Sequence, residues 1–306
     1  MRDPSELYRL EPDRPALGSP VLVVVLSGFV DAGGAARLAR GHLLSMLEHR
    51  VVATFDVDAL VDYRARRPPM LFVEDHWERY EAPELVVRLL HDTSGTPFLL
   101  LDGPEPDVHW EQFVAAVTQV VDRLGVRLTI GVTAIPMAVP HTRPVAITAH
   151  GSRRELVAGH EPWVGTVQVP GSAANLLEYR LGTSGHDAMG FAVHVPHYVA
   201  QLELPQAAAA VLDAVGRAGR LSLPTDALHQ AGVRTQAEID EQVARSPEIA
   251  AVVTALEEQY DEAVAARGTA RIPTADELGA ELERFLAQQQ RPDEGQPGPG
   301  PASGPA

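Results

Sequence analysis

Seven short runs rich in aliphatic and β-branched residues recur between Val21 and Val195, with helical patterns between them. The runs are Val21 to Leu26, Val51 to Asp56, Phe98 to Asp102, Leu128 to Val132, Val145 to Ala149, Val164 to Val169 and Gly190 to Val195. Alternation of this kind is the signature of a layered α/β fold. Runs that are apolar on both faces and separated by helices predict a largely parallel central sheet with helices on either side, a three-layer α/β/α arrangement. Between the first two runs, Ala32, Ala36, Ala39, Leu43 and Leu47 recur at helical spacing and predict a crossover helix with one apolar face. Further helices are expected over about 109–124 and 172–180.

After about Pro205 the chain turns alanine-rich and offers no further strand. Thr235 with Glu238 and Thr274 with Glu277 form capping-box patterns, and Ser246-Pro247 supplies an N-cap followed by proline at the first helical position. A helix of about five turns is expected over 247–267. The stretch from 291 to 306 has no apolar pattern and is expected to be disordered.

All 25 basic residues are arginine, and cysteine is absent. Lysine Schiff-base chemistry, a lysine-dependent phosphate loop, disulfides and thiolate chemistry are thereby excluded. A net charge of −16 argues against a nucleic-acid surface. The longest unbroken aliphatic run, Val21 to Leu26, is far too short to span a membrane, and the acidic N-terminal stretch has no signal-peptide pattern. A cytoplasmic location is expected.

SGFVDAGGAAR, Ser27 to Arg37, follows the first strand run where many proteins hold a phosphate. Read against G-x-x-x-x-G-K-[ST], it matches at Gly28 and Gly33 but has Gly34 and Ala35 at the two chemical positions. Asp31 stands at the N-cap, where its carboxylate is expected to accept the Gly33 or Gly34 amide and to repel a phosphate. Gly28 suits a sharp strand-to-helix turn, and Gly33 and Gly34 suit close packing of the first helical turn.

Four loops follow strand ends, where open α/β sheets bind ligands: Ser27 to Gly34, Asp56 to Pro69, Asp102 to Trp110 and Thr133 to Pro144. They supply a candidate ligand or anion site of Gly28, Asp31, Gly33, Gly34, Arg66, Arg67, Glu105, His141 and Arg143. Without lysine, Arg64, Arg66, Arg67 and Arg143 are the cations available there. Surface ion pairs with neighbouring acids are the competing reading. His194 and His197 are spaced three apart on a strand, which turns them to opposite faces, so no metal site is assigned. Asp56 and Asp58 lie at period two and read as loop caps and arginine partners. Gly171-Ser172 lacks the G-x-S-x-G elbow of a serine hydrolase.

Several phrases taken together, SGFVDAGGAA, FDVDALVDYRARRP, LLDGPEPDVHWEQF, MAVPHTRP, VPGSAANLLEYRLG and GFAVHVPHYVA, resemble the bacterial branch of the PAC2 family, named after a proteasome assembly chaperone. The resemblance covers roughly 20–205 and extends to the helical C-terminal region. It implies a core similar to the phosphorylase/hydrolase fold of purine nucleoside phosphorylases, often trimeric, and carries over no catalytic residue or cofactor. Residues 1–19 then form an N-terminal extension, 20–220 the PAC2-like domain, 221–290 a helical region and 291–306 a tail. Chaperones of this family dock on the proteasome through a hydrophobic-tyrosine-any tail, which Ser303-Gly304-Pro305-Ala306 does not match, so docking by that route is not expected. The expected function is that of a homo-oligomeric, non-catalytic assembly or protein-interaction factor with a protein partner. The alternative is an enzyme or binder of a phosphate-bearing or nucleoside-like small molecule.

Overall fold

The computed structural model describes residues 3–13, 15–160 and 165–268. In chain order its strands are β1 (Tyr8–Leu10), β2 (Val21–Ser27), β3 (His49–Phe55), β4 (Met70–Val73), β5 (His76–Tyr80), β6 (Val86–His91), β7 (Pro97–Pro104), β8 (Leu128–Met137), β9 (Ile147–Gly151) and β10 (Ala188–Pro196). The helices are α1 (Ala35–Met46), α2 (Trp110–Leu124), α3 (Ala173–Thr183), α4 (Pro205–Gly219), α5 (Asp226–Ala244) and α6 (Pro247–Gly268).

Eight strands form one sheet in the order β1-β3-β6-β7-β2-β8-β10-β9. Strands β7, β2, β8 and β10 run parallel at its centre, and the outer pairings are antiparallel. Five strands therefore point one way, and the expected parallel sheet is its middle. The register is fixed by β2, where Leu22 stands beside Leu99 on one side and Thr129 on the other. Period two then divides its side chains between two cores. Val21, Val23 and Val25 face α1 and α4, while Leu22 and Val24 face α2 and α3. Each such fully buried Val or Leu contributes roughly 1.5–3 kcal/mol over its exposed state.

The expected crossover helix is α1, with Ala35, Ala36, Ala39 and Leu43 buried. Helix α2 ends at Gly125, whose positive φ of 64° closes the last turn. Helix α4 lays Ala207, Ala208, Val211, Leu212 and Val215 on the same core as α1, and α5 packs on α4 at Gly232, where a Cβ would meet Gln206 backbone at 3.0 Å.

Two expected elements are corrected. The described part of the Val164–Val169 run, residues 165–169, is exposed and irregular rather than a strand. Gly165 at φ 87° opens it, Pro170 follows it, and β9 already occupies the free edge of β10. Thr235 lies inside α5, which starts at Asp226 just after Pro224, so its capping box starts no helix. Ser246 does stand before α6, with its Oγ 3.4 Å from the Ile249 amide. The chain divides into compact units at Glu258/Gln259, and α6 begins in the first. The Thr274–Glu277 pattern and the 291–306 tail lie outside the described residues.

Candidate functional site

Three of the four strand-end loops meet at Arg66. Its Nε donates to Asp107 Oδ1 at 3.0 Å and its Nη1 to the Ser27 carbonyl at 3.3 Å, while Nη2 reaches Asp107 and the Glu105 carbonyl. Gly28, at φ 131°, leaves room for this, since a Cβ there would lie 2.6 Å from Arg66 Nη1. Asp107 also accepts from the Asp62 amide at 2.8 Å. Burial pushes the Asp107 carboxyl up, but the Arg66 guanidinium and the Asp62 amide outweigh it and hold the group below the usual carboxylate range. Glu105 is buried and accepts from the Ala173 amide, the first of α3, at 2.6 Å, where the helix dipole favours a carboxylate. Arg66 and Glu105, read from the sequence as ligand groups, are thus engaged in tying loops together.

Asp31 caps α1 by a route the sequence did not suggest. Its Oδ1 accepts from Ala36 at 2.8 Å and its Oδ2 from Arg37 at 3.1 Å. The Gly34 amide goes instead to the Asp31 carbonyl, and the Gly33 amide to the Ala200 carbonyl at 2.7 Å. Gly33 and Gly34 both adopt positive φ, 67° and 57°, which folds the chain back so that the Asp31 carboxylate faces amides five and six residues on. A Cβ on Gly33 would also meet Leu204 at 3.0 Å.

His141 and Arg143 belong to another neighbourhood. His141 Nδ1 lies 2.5 Å from the Tyr198 hydroxyl and Nε2 lies 3.1 Å from Asp240 on α5. Burial raises the Tyr198 phenol, against the His141 amide that lowers it, and Glu257 and Asp240 raise it further. Arg143 pairs with Glu257 on α6 at 3.1 Å, and Thr142 bonds the same carboxylate. The fourth loop therefore fastens the C-terminal helices. Arg64 and Arg67 are exposed. Asp56 and Asp58 lie in a turn after β3, where Asp58 accepts from the Tyr63 hydroxyl. His194 bonds Thr148 at 2.8 Å, and His197 faces the Met137 carbonyl.

Beside the Arg66 junction, at the carboxyl ends of β2 and β7, a cleft of about 310 Å³ opens. Ser27, Gly103 and Pro104 line it from the strands, Gly28 from the turn after β2, Ala36, Arg37 and Arg40 from α1, and Glu84 from the segment before β6. Asp102, 1% exposed, accepts from Arg40 Nε at 2.8 Å and from Arg88 Nε at 3.0 Å. Arg88 continues to Glu84 at 2.9 Å. Of the expected site residues, Gly28 and Asp31 line the cleft. Arg40, Arg88 and Asp102 were not singled out in the sequence, although an acid ending an otherwise apolar strand run was the available signal.

A second feature lay outside the sequence reading altogether. Strands β4 and β5 form a two-stranded hairpin of their own, turned at Glu74 with φ 51°. Met70, Leu71, Phe72, Trp77 and Tyr80 on it are between 44% and 62% exposed, and Phe72 and Trp77 meet edge to face at 5.0 Å.

An α/β sheet with a parallel centre, two helical layers and loops joined at its strand ends defines the class. The chain belongs to the PAC2 family, whose model matches residues 25–243. A Mycobacterium tuberculosis protein of unknown function is similar at 51% identity over 92% of this chain and 96% of its own, with a TM-score of 0.81. A Corynebacterium glutamicum protein of unknown function is 38% identical over 84% and 98%, also at 0.81. A structure described as a proteasome-assembly chaperone homologue of M. tuberculosis is 26% identical over 76% and 99%, with a TM-score of 0.71. No curated protein matches the chain. Among the described residues, no helix is long and apolar enough to cross a membrane.

Proposed function

We propose that the chain is a non-catalytic, chaperone-like assembly factor of the cytoplasm that works as a homotrimer, and that the β4–β5 hairpin is its association surface. The observation that carries this is the hairpin itself. Two strands alone are marginal in water, and five large apolar side chains on one small exposed arm are the composition of a contact surface. Aromatic anchors such as Phe72 and Trp77 are the residue types that concentrate binding energy when a partner covers them. Membership of the PAC2 family and likeness to a relative described as a proteasome-assembly chaperone homologue support the reading. The kinship with phosphorylase/hydrolase folds implied by the resemblance belongs to the same proposal.

Light scattering on the full chain tests it. A mass near three times 32.9 kDa is expected, falling towards one chain when Phe72 and Trp77 are both replaced by aspartate. A single-chain mass for the native protein, or an unchanged mass for the variant, refutes it.

A further inference from the structure

The cleft at the ends of β2 and β7 has an uneven supply of hydrogen-bonding groups. Its acceptors are largely engaged. Asp31 uses both carboxylate oxygens on the Ala36 and Arg37 amides, and Glu84 receives Arg88. The Gly103 carbonyl accepts from the Ser27 hydroxyl at 3.3 Å. Its donors are not. Arg40 turns one side of its guanidinium, Nε and Nη2, onto Asp102 Oδ2 at 2.8 and 2.6 Å. Among the described residues Nη1 has no partner, so the end of the fork carrying Nη1 and the outer hydrogen of Nη2 is left over.

The buried Asp102 carboxylate fixes that orientation. Asp102 is itself held from the far side by Arg88, so the guanidinium of Arg40 is set in place before any ligand arrives. A planar fork with two parallel donors is the complement of a carboxylate. Arg37, farther out, is paired through Nη1 to the exposed Glu203 at 2.9 Å and can add a second positive charge. The walls limit the anion's charge and shape. Asp31 and Glu84 disfavour a dianion such as phosphate, and Val25, Leu26, Ala36 and Pro104 offer an apolar surface. About 310 Å³ is at the small end of the range for small-molecule sites.

We propose that this cleft binds a small organic monocarboxylate, with its carboxylate on the free end of the Arg40 fork and its apolar body against Val25, Leu26, Ala36 and Pro104. The site does not depend on the hairpin or on self-association.

The experiment is titration of the full chain with 3-phenylpropionate, its neutral amide and inorganic phosphate, followed by ligand-detected NMR and calorimetry. The carboxylate is expected to bind, and the amide and phosphate to bind at least about tenfold more weakly. Arg40→Lys keeps a cation on Asp102 but loses the fork, and should weaken the carboxylate by about tenfold, while Arg64→Gln leaves it unchanged. If Arg40→Lys does not fold, Ser27→Phe, which fills the mouth from an exposed position, takes its place and should abolish binding. No binding of the carboxylate at millimolar concentration, equal binding of the amide, preference for phosphate, or full affinity in the cleft variant each overturns the proposal.

Discussion

The loop junction around Arg66 and the β4–β5 hairpin are opposites in how their chemistry is used. In the junction, side chains that look functional in sequence are satisfied by the protein itself: Arg66 by Asp107 and two carbonyls, Glu105 by the first amide of α3, Asp31 by α1. On the hairpin, side chains that look like core material face solvent. Polar groups with internal partners are bound to the fold's stability, whereas unpartnered apolar groups are available to another molecule. The comparison separates two kinds of mutational effect, on folding and on association.

The largest folding effect is expected at Arg66. Arg66→Gln leaves Asp107 and two carbonyls short of donors, at a cost of about 2–3 kcal/mol, already discounted for a guanidinium side chain that is 32% exposed. Denaturant unfolding measures it, and a loss below about 0.5 kcal/mol would show the junction to be replaceable. Asp92 comes next. Its carboxylate accepts from the Ser94, Thr96 and Ser222 amides at 2.9, 2.8 and 2.7 Å, fastening the β6–β7 turn to the α4–α5 link. Burial raises its pKa, but those amides outweigh burial and depress it. A depressed folded value means the stabilisation is present above the unfolded value of about 3.9 and is lost as pH falls through the folded one. Asp92→Asn should therefore cost about 1–2 kcal/mol at neutral pH, with a gap to the native protein that closes below pH of about 3.9. A gap constant with pH would remove the carboxylate from the account.

Asp31→Ala should cost about 1 kcal/mol through loss of a helix cap, measured in the same way. Trp77→Ser should cost the least, within about 0.5 kcal/mol when unfolding is followed at a dilution where the chain is monomeric. A clear drop there would make the hairpin part of the fold and erase the contrast.

Much of the sheet was legible because its strands are buried on both faces. VLVVVL reads as interior, and β2, β3, β7, β9 and β10 fall within two residues or so of the expected runs, while β8 starts with its run at Leu128 but continues past Val132 to Met137. The hairpin was not legible because both its faces are exposed, so no alternation of apolar and polar residues marks it. Val167 and Val169 mislead in the opposite direction: they carry strand character, but pattern does not supply an edge to pair with. The candidate site was half legible. Position after a strand brings Gly28, Asp31, Arg66 and Glu105 to one end of the sheet, whereas His141 and Arg143 follow β8 and pair with Asp240 and Glu257, acids far along the chain that no local spacing connects to them.

The place of β2 in the sheet also governs how the chain must be made. During synthesis, VLVVVL finds its neighbours only when Leu99 and then Leu128 have been made. Until then it is an uncharged, strongly β-forming segment with both edges open, the type of sequence that associates with other nascent chains. Long-range pairing of this order folds slowly, because loop closure precedes the contacts that reward it. A chain that stops before β8 leaves one edge of β2 open, whereas one that includes β8 has β2 paired on both sides, and β10 then covers β8 with β9 added at the edge.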